Sequence, residues 1–130
     1  MKKLVLSLAF LFVFTSFAVA DPVLGPSLWK NNRGSTLEIK SVTAGFFFGT
    51  FINRAKGTEC KYIPYNAPGL SSLFGVWFSV NFDKCYTITN WSGHVSDDGR
   101  TMTTTFQLFY TPPGKPTQVI PGSDVFRRFR

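Results

Sequence analysis

The chain predicts an all-β protein: an eight-stranded antiparallel up-and-down β-barrel. Three observations predict it. Nearly every segment alternates β-branched or aromatic residues with polar ones at period two. Turn-forming clusters punctuate those segments at short intervals, at "NNRG", "TAG", "NAPG", "FDK", "SDDG" and "PPGKP". No stretch sustains a helical apolar period with caps at its ends. Short connections pair sequential strands as antiparallel neighbours, and eight such strands close into a barrel that leaves no open edge.

In chain order, residues 1–20 read first as a secretory leader. Lys2 and Lys3 precede the apolar run "LVLSLAFLFVF", and small residues, "AVA", stand before Asp21. The run is short for a membrane span. The expected product is a single domain, 21–130, secreted or periplasmic and free of the membrane after cleavage. "DPVLGP" reads as a loose start. Loss of the leader leaves twelve basic against seven acidic side chains, a balance of +5. The cations are scattered singly except for the terminal "RRFR", so no nucleic-acid face is expected.

The candidate strands are 28–32, 35–42, 46–53, 60–64, 75–82, 85–95, 101–110 and 123–128. Two cysteines, Cys60 and Cys85, survive into the mature chain, and an oxidising compartment favours joining them. That bridge closes a loop of roughly 25 residues and is worth about 3 kcal/mol in the chain-entropy model. A metal is not expected, because His94 is the sole histidine and no ligand cluster surrounds either cysteine.

A barrel of this size is either filled by side chains or holds one small ligand, so the inward faces are diagnostic. Strand 75–82 offers Phe78, Val80 and Phe82; strand 101–110 offers Met102, Thr104, Phe106, Leu108 and Tyr110; strand 46–53 offers Phe47, Gly49, Phe51 and Asn53. "CYTITNWSG" adds Thr87, Thr89 and Trp91 on one face. Pattern alone leaves two readings open. The mixture suits a pocket with a few convergent polar groups, or a core whose hydroxyls find partners inside the protein.

The segments also resemble a known family in order. "LWKNNRGSTLEI", "GFFFGTFI", "FSVNF", "TITNWSG", "TTTFQLFY" and "PGSDVFRR" are similar to successive strands of the avidin–streptavidin family, across essentially all of 28–128. "NRAKGTEC" and the Cys85-to-Trp91 spacing resemble its dimeric, rhizavidin-like branch, whose two cysteines are bridged at matching positions. The resemblance implies a ligand cavity at one end of the barrel and non-covalent capture of biotin, a ligand rather than a cofactor. It implies that Asn31 and Ser35 donate to the ureido oxygen, and that Asn53 and Asp124 accept from the ureido nitrogens. Thr89 matches a contact to the thioether sulfur, and Thr87 one to the carboxylate end. Phe82, Trp91 and Phe106 match aromatic walls, and Leu108 an aliphatic contact. Each residue also has a plainer reading: Asn31 and Ser35 can cap a turn, Thr87 and Thr89 are ordinary strand residues, and Asp124 beside a glycine suits a turn.

The sequence departs from the family at four positions. Phe51 stands where a tyrosine usually donates to the ureido oxygen, which implies an affinity below the family's tightest members. Phe82 and Phe106 replace tryptophans, and Arg33 stands near the mouth where relatives carry smaller or apolar groups. "PPGKPTQVIPG" lacks the tryptophan that tetrameric members lend across an interface, so a homodimer is expected, or a higher homo-oligomer built on other contacts through the outward Trp77, Tyr86, Ile88 and Phe109. The competing readings are a barrel for a different small ligand, and a barrel acting through its surface as an inhibitor or basic antimicrobial protein. An enzyme is not expected: one histidine and seven carboxylates offer no nucleophile–base pair.

Overall fold

The computed structural model describes residues 26–130; the expected leader and the segment after it, 21–25, lie outside the described residues. Nine strand segments are present: β1 (Ser27–Asn31), β2 (Thr36–Thr43), β3 (Phe46–Ile52), β4 (Pro64–Asn66), β5 (Gly69–Ser72), β6 (Gly75–Phe82), β7 (Thr87–Val95), β8 (Thr101–Tyr110) and β9 (Gln118–Arg128). Every pairing is antiparallel. β1 pairs with both β2 and β9, and the β2–β3 pairing closes the ring. β4 and β5 both lie against β3, and Gly49 exchanges two backbone hydrogen bonds with Ala67 between them. They are two halves of one stave, interrupted at Pro68, which cannot donate to a ladder. The barrel therefore has eight staves.

Three expected boundaries are corrected. Residues 60–64 are not a strand apart from Pro64: the fourth stave is 64–72, and "NAPG" is the break within it rather than a turn. Cys60 and Tyr62 hold φ of 56° and 64°, a left-handed conformation no ladder accepts. Strand β7 starts at Thr87 instead of 85, because Asp83–Cys85 form a 3-10 turn and Tyr86 has φ 58°. The last strand begins at Gln118, five residues early. Pro121 is tolerated there because β1 reaches only Phe126 to Arg128 of β9, leaving Pro121 on a locally unpaired side.

Alternation divides the chain into an outer and an inner surface. At one end of the barrel Trp29, Leu37, Ile39, Phe47, Phe78, Val80, Met102 and Phe126 are all fully buried and form a dry plug. Phe126 meets Phe78 edge-on at 5.7 Å, and Phe78 stacks on Trp91 at 4.8 Å. The one indole buried in the plug is satisfied, since Trp29 Nε1 donates to Ser27 Oγ (3.0 Å). Above Trp91 the filling stops.

Candidate functional site

The opposite end is a cavity of about 540 Å³. It is bounded by the β1–β2 turn, the β3–β4 loop, the ends of β6 and β8 and the starts of β7 and β9. Asn31, Ser35, Phe51, Asn53, Phe82, Thr87, Thr89, Trp91, Phe106, Leu108 and Asp124 all line it. Residues some ninety positions apart in sequence thus face one space.

Trp91 forms the floor. One face of its indole stacks on Phe78, at 10° between planes, and Phe51 lies 5.0 Å away. Phe106 stands at 6.1 Å as one wall, and Phe82 meets Phe51 edge-on at 5.8 Å as another. Phe106 has room because its cross-strand partner is Gly122, where any Cβ would strike the ring.

The polar groups are held by specific bonds. Asn31 Oδ1 accepts the backbone N–H groups of Arg33 (3.1 Å) and Ser35 (2.9 Å), so the side chain caps the β1–β2 turn. Those bonds fix its orientation and leave the Nδ2 hydrogens without a partner among the described residues. The capping and ligand readings of Asn31 are therefore compatible. Ser35 Oγ accepts from Arg54 N–H (3.0 Å) and donates to Asn53 Oδ1 (3.3 Å). Asn53 Oδ1 also accepts from Ala55 N–H (3.0 Å), while its Nδ2 donates to Thr58 Oγ1 (3.0 Å). Nδ2 donates also to the Glu59 carbonyl (3.5 Å), so every donor and acceptor of the Asn53 side chain is engaged within the protein. Asp124 is not a turn residue: it sits within β9 opposite Thr104, 5% exposed. Its Oδ2 accepts from Trp91 Nε1 (2.9 Å), and Oδ1 faces Arg33 Nε at 3.9 Å. Thr89 is buried with no protein partner for its hydroxyl among the described residues, and Thr87 Oγ1 lies 3.8 Å from Cys85 Sγ.

This arrangement allows a coupled exchange. A guest carbonyl that accepts the Ser35 O–H hydrogen bond removes that donor from Asn53 Oδ1. The freed lone pair then accepts an N–H from the same guest. Asp124 Oδ1 accepts a second N–H, and Asn31 Nδ2 adds a second donor to the carbonyl. Two donors beside two acceptors describe a planar N–H, C=O, N–H group, and the aromatic walls suit an apolar body attached to it.

The Phe51 ring brings no hydroxyl to the cavity it lines. Tyr65 is its cross-strand neighbour, but that ring packs behind Phe82 at 5.1 Å and does not line the cavity. The Tyr65 hydroxyl is buried without a side-chain partner among the described residues, and its pKa is raised by that burial and, secondarily, by Asp83, against a lowering by the Lys84 backbone. A different residue does enter the site: Arg33 extends over Phe106, with Cζ 5.3 Å from the ring centroid.

Sequence reasoning missed the β3–β4 loop as a wall. Ala55, Gly57, Thr58 and Glu59 line the cavity, as do Tyr110 and Ile120. The loop is pinned by the Cys60–Cys85 disulfide, which ties it to the turn before β7. The polar run "NRAKGTE" was the available signal, but it served only as part of the resemblance to the dimeric branch.

Comparison with known proteins agrees with this geometry. The Avidin family model matches residues 22–129. Afifavidin of Afifella pfennigii is 29% identical over 106 residues, 77% of this chain, and the chain spans 66% of that protein's length. A bradavidin2–biotin complex is 40% identical, covering 83% of this chain and all of that one, with a TM-score of 0.78. A rhizavidin–biotin complex is 29% identical, covering 82% and 93% of the two chains, with a TM-score of 0.72. A closed eight-stave barrel, a cavity at its mouth and a match along nearly the whole described chain place the protein in the avidin family.

Proposed function

We propose that this protein is exported and captures biotin non-covalently, without chemistry, in the cavity at the barrel mouth. The observation that carries the reading is the coupled set Asn31, Ser35, Asn53 and Asp124 beside Trp91 and Phe106. Biotin joins a planar urea to an apolar bicycle, which that set complements at both ends. Relatives solved with biotin bound support the same guest. In this reading Thr89 meets the sulfur, Thr87 the tail, and Leu108 the bicycle's edge. Phe51 supplies an edge but no donor, so the affinity is lower than a tyrosine at that position would give. One missing hydrogen bond to a buried acceptor weakens binding by roughly ten- to hundredfold.

We infer also that the protein works as a homodimer. Trp77, Tyr86, Ile88 and Val119 are exposed on the outer wall, and Ile88, Phe109 and Val119 form a cross-strand apolar row. The test is displacement of labelled biotin from the oxidised protein by free biotin, paired with sedimentation equilibrium. Saturable, competed binding by a species of twice the chain mass is expected. Label that free biotin does not displace would overturn the ligand, and a monomer at micromolar concentration would overturn the dimer.

A further inference from the structure

We propose that Arg33 is a specificity-determining residue that occupies the cavity as an internal stand-in for the ligand. The inference rests on the biotin reading above and concerns the same site. A guanidinium is itself a planar N–C–N group with donating N–H bonds. Arg33 sets that group over the Phe106 ring, 5.3 Å from its centroid, and its Nε faces Asp124 Oδ1 at 3.9 Å. Phe106 and Asp124 are the wall and the acceptor a urea needs, and both line the same cavity as Arg33. The side chain is about half exposed, whereas that of Asp124 is almost fully buried. Arg33 can therefore swing into solvent, while the carboxylate must keep its place.

The consequence is a threshold for entry. A guest with an N–H for Asp124 and a face for Phe106 replaces both interactions that Arg33 gives up. A guest that stacks but has no donor leaves Asp124 Oδ1 without a partner, while Oδ2 keeps only Trp91, and does not displace the arginine. The backbone of Arg33 is already fixed by Asn31 Oδ1, so displacement moves only the side chain.

The test compares the full oxidised protein with Arg33→Met, which keeps an unbranched apolar stem and removes the cation. Biotin and biotinamide, its uncharged amide, are titrated into each. The cap predicts that Arg33→Met binds both more tightly, by roughly three- to thirtyfold, the range of an exposed ion pair plus a cation–π contact. Native affinity for biotinamide should also rise with added salt, which screens the Arg33–Asp124 pair. If Arg33→Met weakens biotin but leaves biotinamide unchanged, the arginine is holding the ligand's carboxylate and the proposal is overturned. Unchanged affinity for both guests overturns it equally.

A readout without ligand separates this proposal from the biotin reading. In the free protein the Arg33 Nε–H resonance should be displaced from the other arginines by the Phe106 ring. It should return to their position in Phe106→Leu. A resonance that already coincides with the other arginines refutes the cap even if biotin binds. A displaced resonance with no biotin binding refutes the ligand and retains the cap.

Discussion

Two neighbouring rungs of the β8–β9 ladder show how one barrel serves two purposes. Met102 faces Phe126, and both are fully buried in the plug. One inward step along, Thr104 faces Asp124: the Thr104 hydroxyl donates to the Asp124 backbone carbonyl (2.9 Å), and the carboxylate is held by Trp91. The next inward rung, Phe106 opposite Gly122, borders open cavity. Strand alternation is the same throughout. What changes is side-chain volume and polarity, so the dry rung supplies stability and the polar rung supplies recognition.

The comparison breaks most visibly at the plug. Met102→Ala should lower unfolding free energy by about 2–5 kcal/mol, read by denaturant titration, as a cavity opens among fully buried side chains. Biotin affinity of the folded protein should stay within about threefold, since Met102 does not line the site. Removing the disulfide by Cys60→Ser with Cys85→Ser should cost about 3 kcal/mol, because the bridge closes a 25-residue separation. That change should also weaken biotin binding, because the bridge fixes the loop that walls the cavity.

Asp124→Ala reverses the pattern. It should reduce biotin affinity by roughly a hundredfold or more, the loss of a hydrogen bond to a charged acceptor together with an unpaired Trp91 Nε1. Calorimetry reads the affinity, and circular dichroism should report an intact barrel. Phe51→Tyr sharpens the same boundary, restoring the missing donor and tightening biotin by about tenfold.

The smallest effect lies in the turn just beyond the Met102 rung. In the β7–β8 turn, Asp98 accepts from the Ser96 hydroxyl (2.6 Å) and from Arg100 N–H (3.1 Å), which hold its carboxyl below the ordinary range. Its contribution is present above its unfolded pKa and is lost as pH falls through the lower folded value. Asp98→Asn should slightly flatten the acid limb of the stability profile, and an NMR titration should find Asp98 among the last exposed carboxyls to protonate.

Much of this division was legible in sequence, for reasons that differ by residue. Phe78, Val80, Met102 and Phe106 sit where period-two alternation puts them, because a pleated strand has only two faces. The set proposed to recognise a urea was legible only through family resemblance, since Asn31 and Asp124 look like turn residues one at a time. The fourth stave was misread because its start depends on Cys60 and Tyr62 in left-handed backbone, held by a bridge to a residue 25 positions away. Local propensity carries no trace of that constraint. The saturation of Asn53 by Ser35, Ala55, Thr58 and Glu59 was equally hidden, because hydrogen-bond partners around a cavity have no fixed spacing in the chain.

The most direct measurement is calorimetric titration of biotin into the oxidised protein without residues 1–20, run beside Asp124→Ala. The account predicts saturation near one biotin per chain for the native protein and a binding isotherm shifted to much weaker affinity for the variant. No heat and no thermal shift at millimolar biotin, or equal affinity in the two proteins, would contradict it.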